Sequence, residues 1–180
     1  MVESFLQPDR PFKFRPSHLL PLHREALTGI SQYAGNWRPA EIEIGGSRHK
    51  PPGAFQVPER IEELCDYVND KWAEKSPLHL SAYVLWKLNW IHPFTDGNGR
   101  TSRAASYMVL CLRLGYLLPG KLTIPEQISQ DKTLYYKALE SADLAWEQGV
   151  IDLSAMKELL SSMLARQLVG VHSDSQSGQE

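Results

Sequence analysis

The stretch Leu78 to Ile91 is apolar on most sides at helical spacing, so as a helix it can only sit at the centre of a helical fold. Ser76-Pro77 supplies its start, a serine as N-cap followed by a proline in the first turn. Directly after it comes His92-Pro93-Phe94-Thr95-Asp96-Gly97-Asn98-Gly99-Arg100, continued by Thr101-Ser102-Arg103. A second helical pattern runs from Thr101 to Leu114, with Ala104, Ala105, Ser106 and Met108 suited to close helix packing, and Gly115 stops it. The chain therefore places a glycine-bracketed, charge-rich loop between two core helices.

The remaining pattern is also mainly helical, and the expected class is all-α: a helical bundle with a small β-hairpin near the loop. A helix is expected from about Pro21 to Tyr33, ended by Gly35. Pro58 opens another to about Ala73, with Ile61, Leu64, Cys65 and Val68 on one face. Pro119-Gly120 marks a turn, Pro125 sits near the start of a helical region that ends at Gly149, and Asp152 caps a last helix reaching Leu168, with Gly170 past its end. Between the first two helices, Ile42-Glu43-Ile44-Gly45-Gly46-Ser47-Arg48-His49-Lys50-Pro51-Pro52 combines a short alternating run, a Gly-Gly turn and a Pro-Pro exit, which suits a β-hairpin. Its bland reading is an ordinary surface hairpin.

With 180 residues, of which 42% are hydrophobic, the chain can bury one core, expected over residues 21–170. Residues 1–20, with prolines at 8, 11 and 16, read as an extended lead-in, and residues 171–180 as a disordered polar tail. A net charge of −2 gives no bulk attraction to nucleic acid or membrane. No signal pattern opens the sequence and no apolar run is long enough to span a bilayer. Cys65 and Cys111 fall in helical apolar patterns and read as reduced core residues, so the expected location is the cytoplasm. Trp72, Trp86, Trp90 and Trp146 read mostly as core, while Trp37, just before the hairpin, is a candidate partner contact.

The loop's residues carry chemistry. His92, with an unperturbed pKa near ~6.5, is mostly neutral at cellular pH and can take a proton from a hydroxyl; the bland alternative is a buried histidine satisfied by a carbonyl. Asp96 offers a hard oxygen of the kind Mg²⁺ takes singly or in pairs, or else a cap for the following helix. Gly97 and Gly99 fit backbone with positive φ and close approach of a ligand. Asn98 tolerates left-handed geometry and has an amide to donate to a phosphate oxygen. The N–H groups of this turn, together with the positive end of the next helix, make an anion site. Arg100 and Arg103 share a helix face, where they oppose the dipole unless an anion sits above them. Phe94 reads as a core anchor for the loop.

His92 to Arg103 resembles the signature of the Fic-domain family, His-x-Phe-x-Asp/Glu-Gly-Asn-Gly-Arg followed by Arg three residues later, without gaps. The resemblance implies an AMP transferase: AMP passes from ATP to a Ser, Thr or Tyr hydroxyl of a target protein. It makes His92 the base, Asp96 the Mg²⁺ ligand, and Gly97, Asn98 and Gly99 the anion hole. Arg100 and Arg103 engage the triphosphate, Arg103 at the γ-phosphate, with Thr101 and Ser102 beside them. The segment 42–52 becomes the family's flap, which pairs its edge with a target strand and brings Ser47, Arg48 and His49 to the nucleotide. The stretch Tyr135 to Asp143 resembles the helix lining the adenine pocket, with Tyr135 and Tyr136 bordering the base and Asp143 where asparagine often stands.

Other group choices stay open. Fic-like proteins that move phosphate or phosphocholine tend to carry alanine where Gly97 stands; UTP, GTP and CTP are alternatives to ATP. A binding module without catalysis, or removal of AMP from a modified target, is also compatible with the fold. The family's inhibitory Ser/Thr-x-x-x-Glu-Gly/Asn helix has no clear counterpart. Ser154 to Glu158 comes nearest, but Leu159 follows it, so the expectation is a chain uninhibited in cis, controlled by a partner protein in trans, or shortened relative to its natural gene product.

Overall fold

Residues 12–176 are described by a computed structural model of the chain. Among them are seven α-helices: α1 (Pro16–Leu27), α2 (Val57–Asp70), α3 (Pro77–Ile91), α4 (Asn98–Leu114), α5 (Ile124–Gln130), α6 (Thr133–Glu147) and α7 (Ser154–Gln176). A single 3₁₀ turn, Ala54–Gln56, leads into α2. The all-α expectation holds. Among the described residues no helix is long and apolar enough to cross a membrane.

Helix α3 is the axis. Every residue from Leu80 to Leu88 is buried, because α2, α4, α6 and α7 all pack against it. Ser76 caps it as its sequence indicates, its hydroxyl accepting the His79 N–H at 3.2 Å. The contact with α4 is the most extensive in the fold. There the buried small residues Ala105 and Ser106 let the two backbones come close. Ser81 and Ser106 close the approach: the Ser106 hydroxyl donates to the Ser81 carbonyl (2.9 Å), and the Ser81 hydroxyl reaches the Ser106 carbonyl (3.1 Å) and hydroxyl (2.8 Å). This pins the register of the two helices that carry the charged loop.

Tryptophans 86, 90 and 146 surround Lys87, whose ammonium lies 5.0, 4.0 and 3.9 Å from their ring centroids. Burial pushes this lysine down to about 8, and the ring faces supply part of the stabilisation that water would otherwise give. Cys65 and Cys111 are free and buried.

Several boundaries differ from the sequence reading. The first helix runs from Pro16 to Leu27, not from Pro21 to Tyr33: Pro16 takes the first-turn position, Pro21 is accommodated within the helix, and the chain turns out at Thr28 and Gly29 (φ 75°) before Gly35 is reached. It therefore begins inside the expected 1–20 lead-in, of which residues 1–11 lie outside the described residues. The region from Pro125 to Gly149 is two helices broken at Asp131 and Lys132. The last helix passes through Gly170 to Gln176, and the remainder of the expected tail, 177–180, lies outside the described residues.

The flap hairpin does not form as strands. Ser47 N–H donates to the Ile44 carbonyl (3.1 Å) and closes the Gly45-Gly46 turn, but no ladder follows among the described residues. An isolated two-stranded hairpin is marginal in water, and Pro51 and Pro52 have no N–H to offer a partner. The segment is held instead as a loop, by tertiary hydrogen bonds.

The tight α3–α4 contact yields a first prediction. Ser106→Leu forces these helices apart and is expected to lower the unfolding free energy by roughly 1–3 kcal/mol in a urea titration.

Candidate active site

Helix α3 ends in a turn that the fold holds from several sides. His92, its C-cap, has φ 51° and ψ 58°, and among the described residues it is the one non-glycine with positive φ. That conformation costs about 1–2 kcal/mol for an L-residue, so its surroundings must impose it. They do. The His92 N–H donates to the Leu88 carbonyl (3.0 Å), and the Arg38 side chain donates through Nε to the His92 carbonyl (2.8 Å). The Arg38 N–H takes the Pro93 carbonyl (2.9 Å). Phe94 is buried between the rings of His23 (centroids 3.7 Å) and Trp37 (5.0 Å). Asn98 brackets the Phe94 backbone, accepting its N–H (2.9 Å) and donating to its carbonyl (2.7 Å).

The turn delivers the imidazole in a defined state. His92 Nδ1 lies 3.3 Å from the Asn89 carbonyl, which can only accept, so Nδ1 carries the proton and Nε2 keeps its lone pair. Burial is the main cause that pushes this histidine below its usual range, with the Arg38 and His49 charges acting in the same direction and the Asn89 carbonyl opposing. A neutral imidazole with a free Nε2 is a proton acceptor.

Facing it is a cleft of about 550 Å³, lined by His92, the loop from Thr95 to Arg100, Arg103, the flap tip and α6. Helix α4 starts here: Gly97 is its N-cap (φ 76°), and the first intrahelical bond runs from Thr101 N–H to the Gly97 carbonyl (2.9 Å). The N–H groups of Asn98, Gly99 and Arg100 consequently have no carbonyl four residues back, and the helix dipole adds positive potential at the same end. Asp96 is exposed at this edge; its Oδ1 accepts the Gly97 N–H (2.6 Å) and its Oδ2 pairs with Arg100 (3.2 Å). Arg100 also donates to the Ala26 carbonyl of α1 (3.1 Å). Arg103 makes no hydrogen bond or ion pair among the described residues, and its guanidinium is open to an incoming anion. From α6, Tyr135 and Tyr136 line the far side with Lys132, Leu139 and Glu140.

Of the residues singled out in the sequence, the cleft gathers His92, Asp96, Gly97, Asn98, Gly99, Arg100, Arg103, Tyr135, Tyr136, Ser47 and His49. Their roles differ in places. The Asn98 amide is spent on Phe94, so only its backbone N–H faces an anion. Gly99 has no positive φ; a Cβ there would meet the Arg103 guanidinium at 3.2 Å, so glycine leaves that side chain room. Thr101 and Ser102 are buried and turn their hydroxyls to the Gly97 (3.0 Å) and Gly99 (3.2 Å) carbonyls, away from the cleft. Arg48 is exposed and does not line the cleft. Asp143 accepts the Trp86 indole N–H (2.7 Å), outside the cleft. Glu158 is exposed on α7 and does not line it either.

The sequence reading missed Asn89, Arg38 and His23. Asn89 lies one turn before His92 on the same helix face and lines the cleft; its amide donates to the Ser102 and Tyr135 hydroxyls (2.8 Å each) and joins α3, α4 and α6 there. A polar residue three positions from a candidate base inside an apolar helix was a readable signal. Nothing local marks His23 or Arg38.

The sequence pattern of the Fic/DOC family matches residues 13–110. The protein adenylyltransferase Fic of Drosophila willistoni is 33% identical over 127 residues, which is 69% of this chain but 24% of the relative, and that of Drosophila grimshawi is 32% identical over the same length. The chain thus spans about a quarter of the length of the curated relatives it matches. Among solved structures, a Fic family protein from Desulfovibrio desulfuricans G20 aligns with a TM-score of 0.68 at 25% identity, over 99% of this chain and 51% of that one. Fic-1 (residues 134–508) from C. elegans aligns with a TM-score of 0.71 at 24% identity, over 92% of this chain and 45% of that one.

His23 makes the site's stability depend on pH. Its Nδ1 accepts the Gly35 N–H (2.9 Å), so Nε2 carries the proton that reaches the Asp96 carbonyl (3.0 Å), and the ring must be neutral. Burial holds it below its ordinary value of 6.5. The unfolded chain therefore takes up the proton first as pH falls. The stabilisation is complete above about 6.5 and is lost as pH drops below it, by at most about 1.4 kcal/mol per pH unit for one proton. Thermal melts of the wild type are expected to fall between pH 7 and pH 5, and His23→Gln is expected to flatten that slope.

Proposed function

The chain belongs to the Fic/DOC family, and from that premise we propose that it is a protein adenylyltransferase, moving AMP from ATP to a Ser, Thr or Tyr hydroxyl of a target protein. The observation carrying this reading is a neutral imidazole with a free Nε2 set in one cleft with a helix N-terminus and an uncommitted arginine. The cleft volume of about 550 Å³ is of the size that small-molecule sites have.

In the reaction, His92 Nε2 takes the proton of the target hydroxyl as its oxygen attacks the α-phosphorus. The bond from that phosphorus to the bridging oxygen breaks, and pyrophosphate leaves with the electron pair. Imidazolium remains and loses its proton to solvent. The α4 N–H groups and Arg103 bind the phosphates, and Arg100 joins them by exchanging Asp96 for phosphate oxygen. Most of the acceleration comes from this positioning and from fixed positive potential. Among the described residues no cluster of three or more His, Cys, Asp or Glu could hold a metal by protein ligands alone. One exposed carboxylate at a phosphate site is nonetheless what Mg²⁺ uses alongside waters and substrate oxygens, so Asp96 would hold it. When bound, the ion neutralises charge on the phosphates.

The flap tip lies against the same cleft, and its unpaired backbone offers an edge for a target segment. A second groove, about 390 Å³ and mostly apolar, shares Arg100 and Arg103 with the cleft and continues along Leu22, Tyr107, Met108 and Pro125. It favours control in trans by a partner helix with an acidic residue aimed at Arg103.

Incubation with Mg²⁺ and ATP labelled on the α-phosphate, with cell lysate, is expected to label protein. His92→Ala is expected to abolish the label, since removal of a general base costs about 10²–10⁴-fold. Label from the γ-phosphate instead would identify a phosphate transferase, label only from another nucleotide would change the donor, and no label with any nucleotide would leave a binding module.

A further inference from the structure

Arg38 is the most heavily committed side chain near the site. Its side chain is wholly buried, and its guanidinium donates to three carbonyls on separate pieces of chain. Nε takes His92 (2.8 Å), Nη1 takes Ala40 (3.0 Å), and Nη2 makes a short bond to Pro52. Ala40 and Pro52 are the two stems of the flap, so one planar group ties both stems to each other and to His92. Glu41 reinforces the neck: Oε1 accepts the Ala54 N–H (2.8 Å) and Oε2 lies 3.9 Å from Arg38. Arg38 does not line the cleft.

Each link has a physical reason. The His92 carbonyl sits at the C-terminus of α3, where the last carbonyls lack helical partners and a cation is favoured. The Ala40 and Pro52 carbonyls would pair with N–H groups if the flap were a ladder; it is not, and Pro51 and Pro52 supply no donor. A guanidinium offers five donors in a fixed plane, which suits carbonyls arriving from three directions, whereas an ammonium offers donors at one point. Farther out, His49 Nε2–H donates to the Trp90 carbonyl (2.7 Å), giving the flap a second attachment, to α3 alone.

We infer that Arg38 is a positioning residue that sets the target-presenting flap in register with the Nε2 of His92, through its simultaneous bonds to Ala40, Pro52 and the His92 carbonyl. The inference rests on the adenylyltransferase reading, because register matters only if the flap presents the attacking hydroxyl. Arg38 therefore acts on target alignment more than on nucleotide binding, because the phosphates are held by the start of α4 and Arg103, which Arg38 does not touch.

The test compares wild type with Arg38→Lys, which keeps the buried charge, and Arg38→Ala. Three readouts are used: amide hydrogen exchange over residues 40–54, ATP affinity by calorimetry, and transfer of the ATP α-label to lysate protein. In Arg38→Lys, exchange over 40–54 is expected to rise roughly tenfold. ATP affinity should change less than about twofold, while transfer falls by up to about 10²-fold, the scale of an ångström misplacement. Arg38→Ala should do the same or fail to fold, and Arg38→Lys decides the matter either way. Unchanged exchange in Arg38→Lys, or a loss of ATP affinity that matches the loss of transfer, would overturn the inference. If wild type transfers no label, the adenylyltransferase reading fails, and the exchange result still decides whether Arg38 clamps the flap.

Discussion

The site depends on one strained residue, His92, held left-handed at the end of the most buried helix in the fold. Continued right-handed coiling would carry the chain on along α3. The left-handed turn lets six residues, 92–97, lead from α3 into α4, which packs back along it. The cost is offset by bonds from outside the turn: Arg38 on the His92 and Pro93 carbonyls, Asn98 on the Phe94 backbone, and His23 on the Asp96 carbonyl. Phe94, stacked between His23 and Trp37, fixes the loop to α1 and the chain before the flap. These bonds make the loop a preorganised one.

Preorganisation sets a neutral imidazole and a helix N-terminus side by side in a small space. Burial is the main cause that lowers the His92 pKa, and the charges of Arg38 and His49 also disfavour its protonation. Gly97 sits where the arrangement demands most of the backbone. Its φ is 76°, and a Cβ would meet the Leu27 side chain at 3.0 Å, so α1 closes tightly over the start of α4. Asp96 and Arg100 hold each other at the mouth, where exposure makes such a pair cheap to separate.

How much was legible in the sequence follows from how local each signal is. The Ser76 cap, the Gly115 stop and the buried face of α2 depend on residues within a turn or two of one another, and the structure has them as read. The placement of His92, Asp96, Arg100 and Arg103 around one cleft was legible because all four lie on a single short stretch between two helices. Elsewhere the local signal was ambiguous. The sequence reading puts Pro16 in an extended lead-in and Pro21 at the helix start, whereas the helix begins at Pro16 and buries Leu19 before Pro21 is reached. The Thr101 and Ser102 hydroxyls had the choice of ligand or helix carbonyl, and burial decided for the carbonyl. The flap's alternation suggested a ladder, but its geometry is set by Arg38 and by the Trp90 carbonyl, 54 and 41 positions away in the chain from His92 and His49 respectively. Arg38 in a Trp-Arg-Pro stretch carries no local sign of that task.

The central claim is that the fold holds His92 neutral, with its proton on Nδ1 and Nε2 free to accept. Nitrogen-15 NMR of the histidine rings, with His92→Gln to assign the signals, reads this directly. At pH 7 the account predicts a neutral ring, Nδ1 protonated and Nε2 with the shift of an unprotonated nitrogen. An Nε2–H tautomer or an imidazolium at that pH would contradict it.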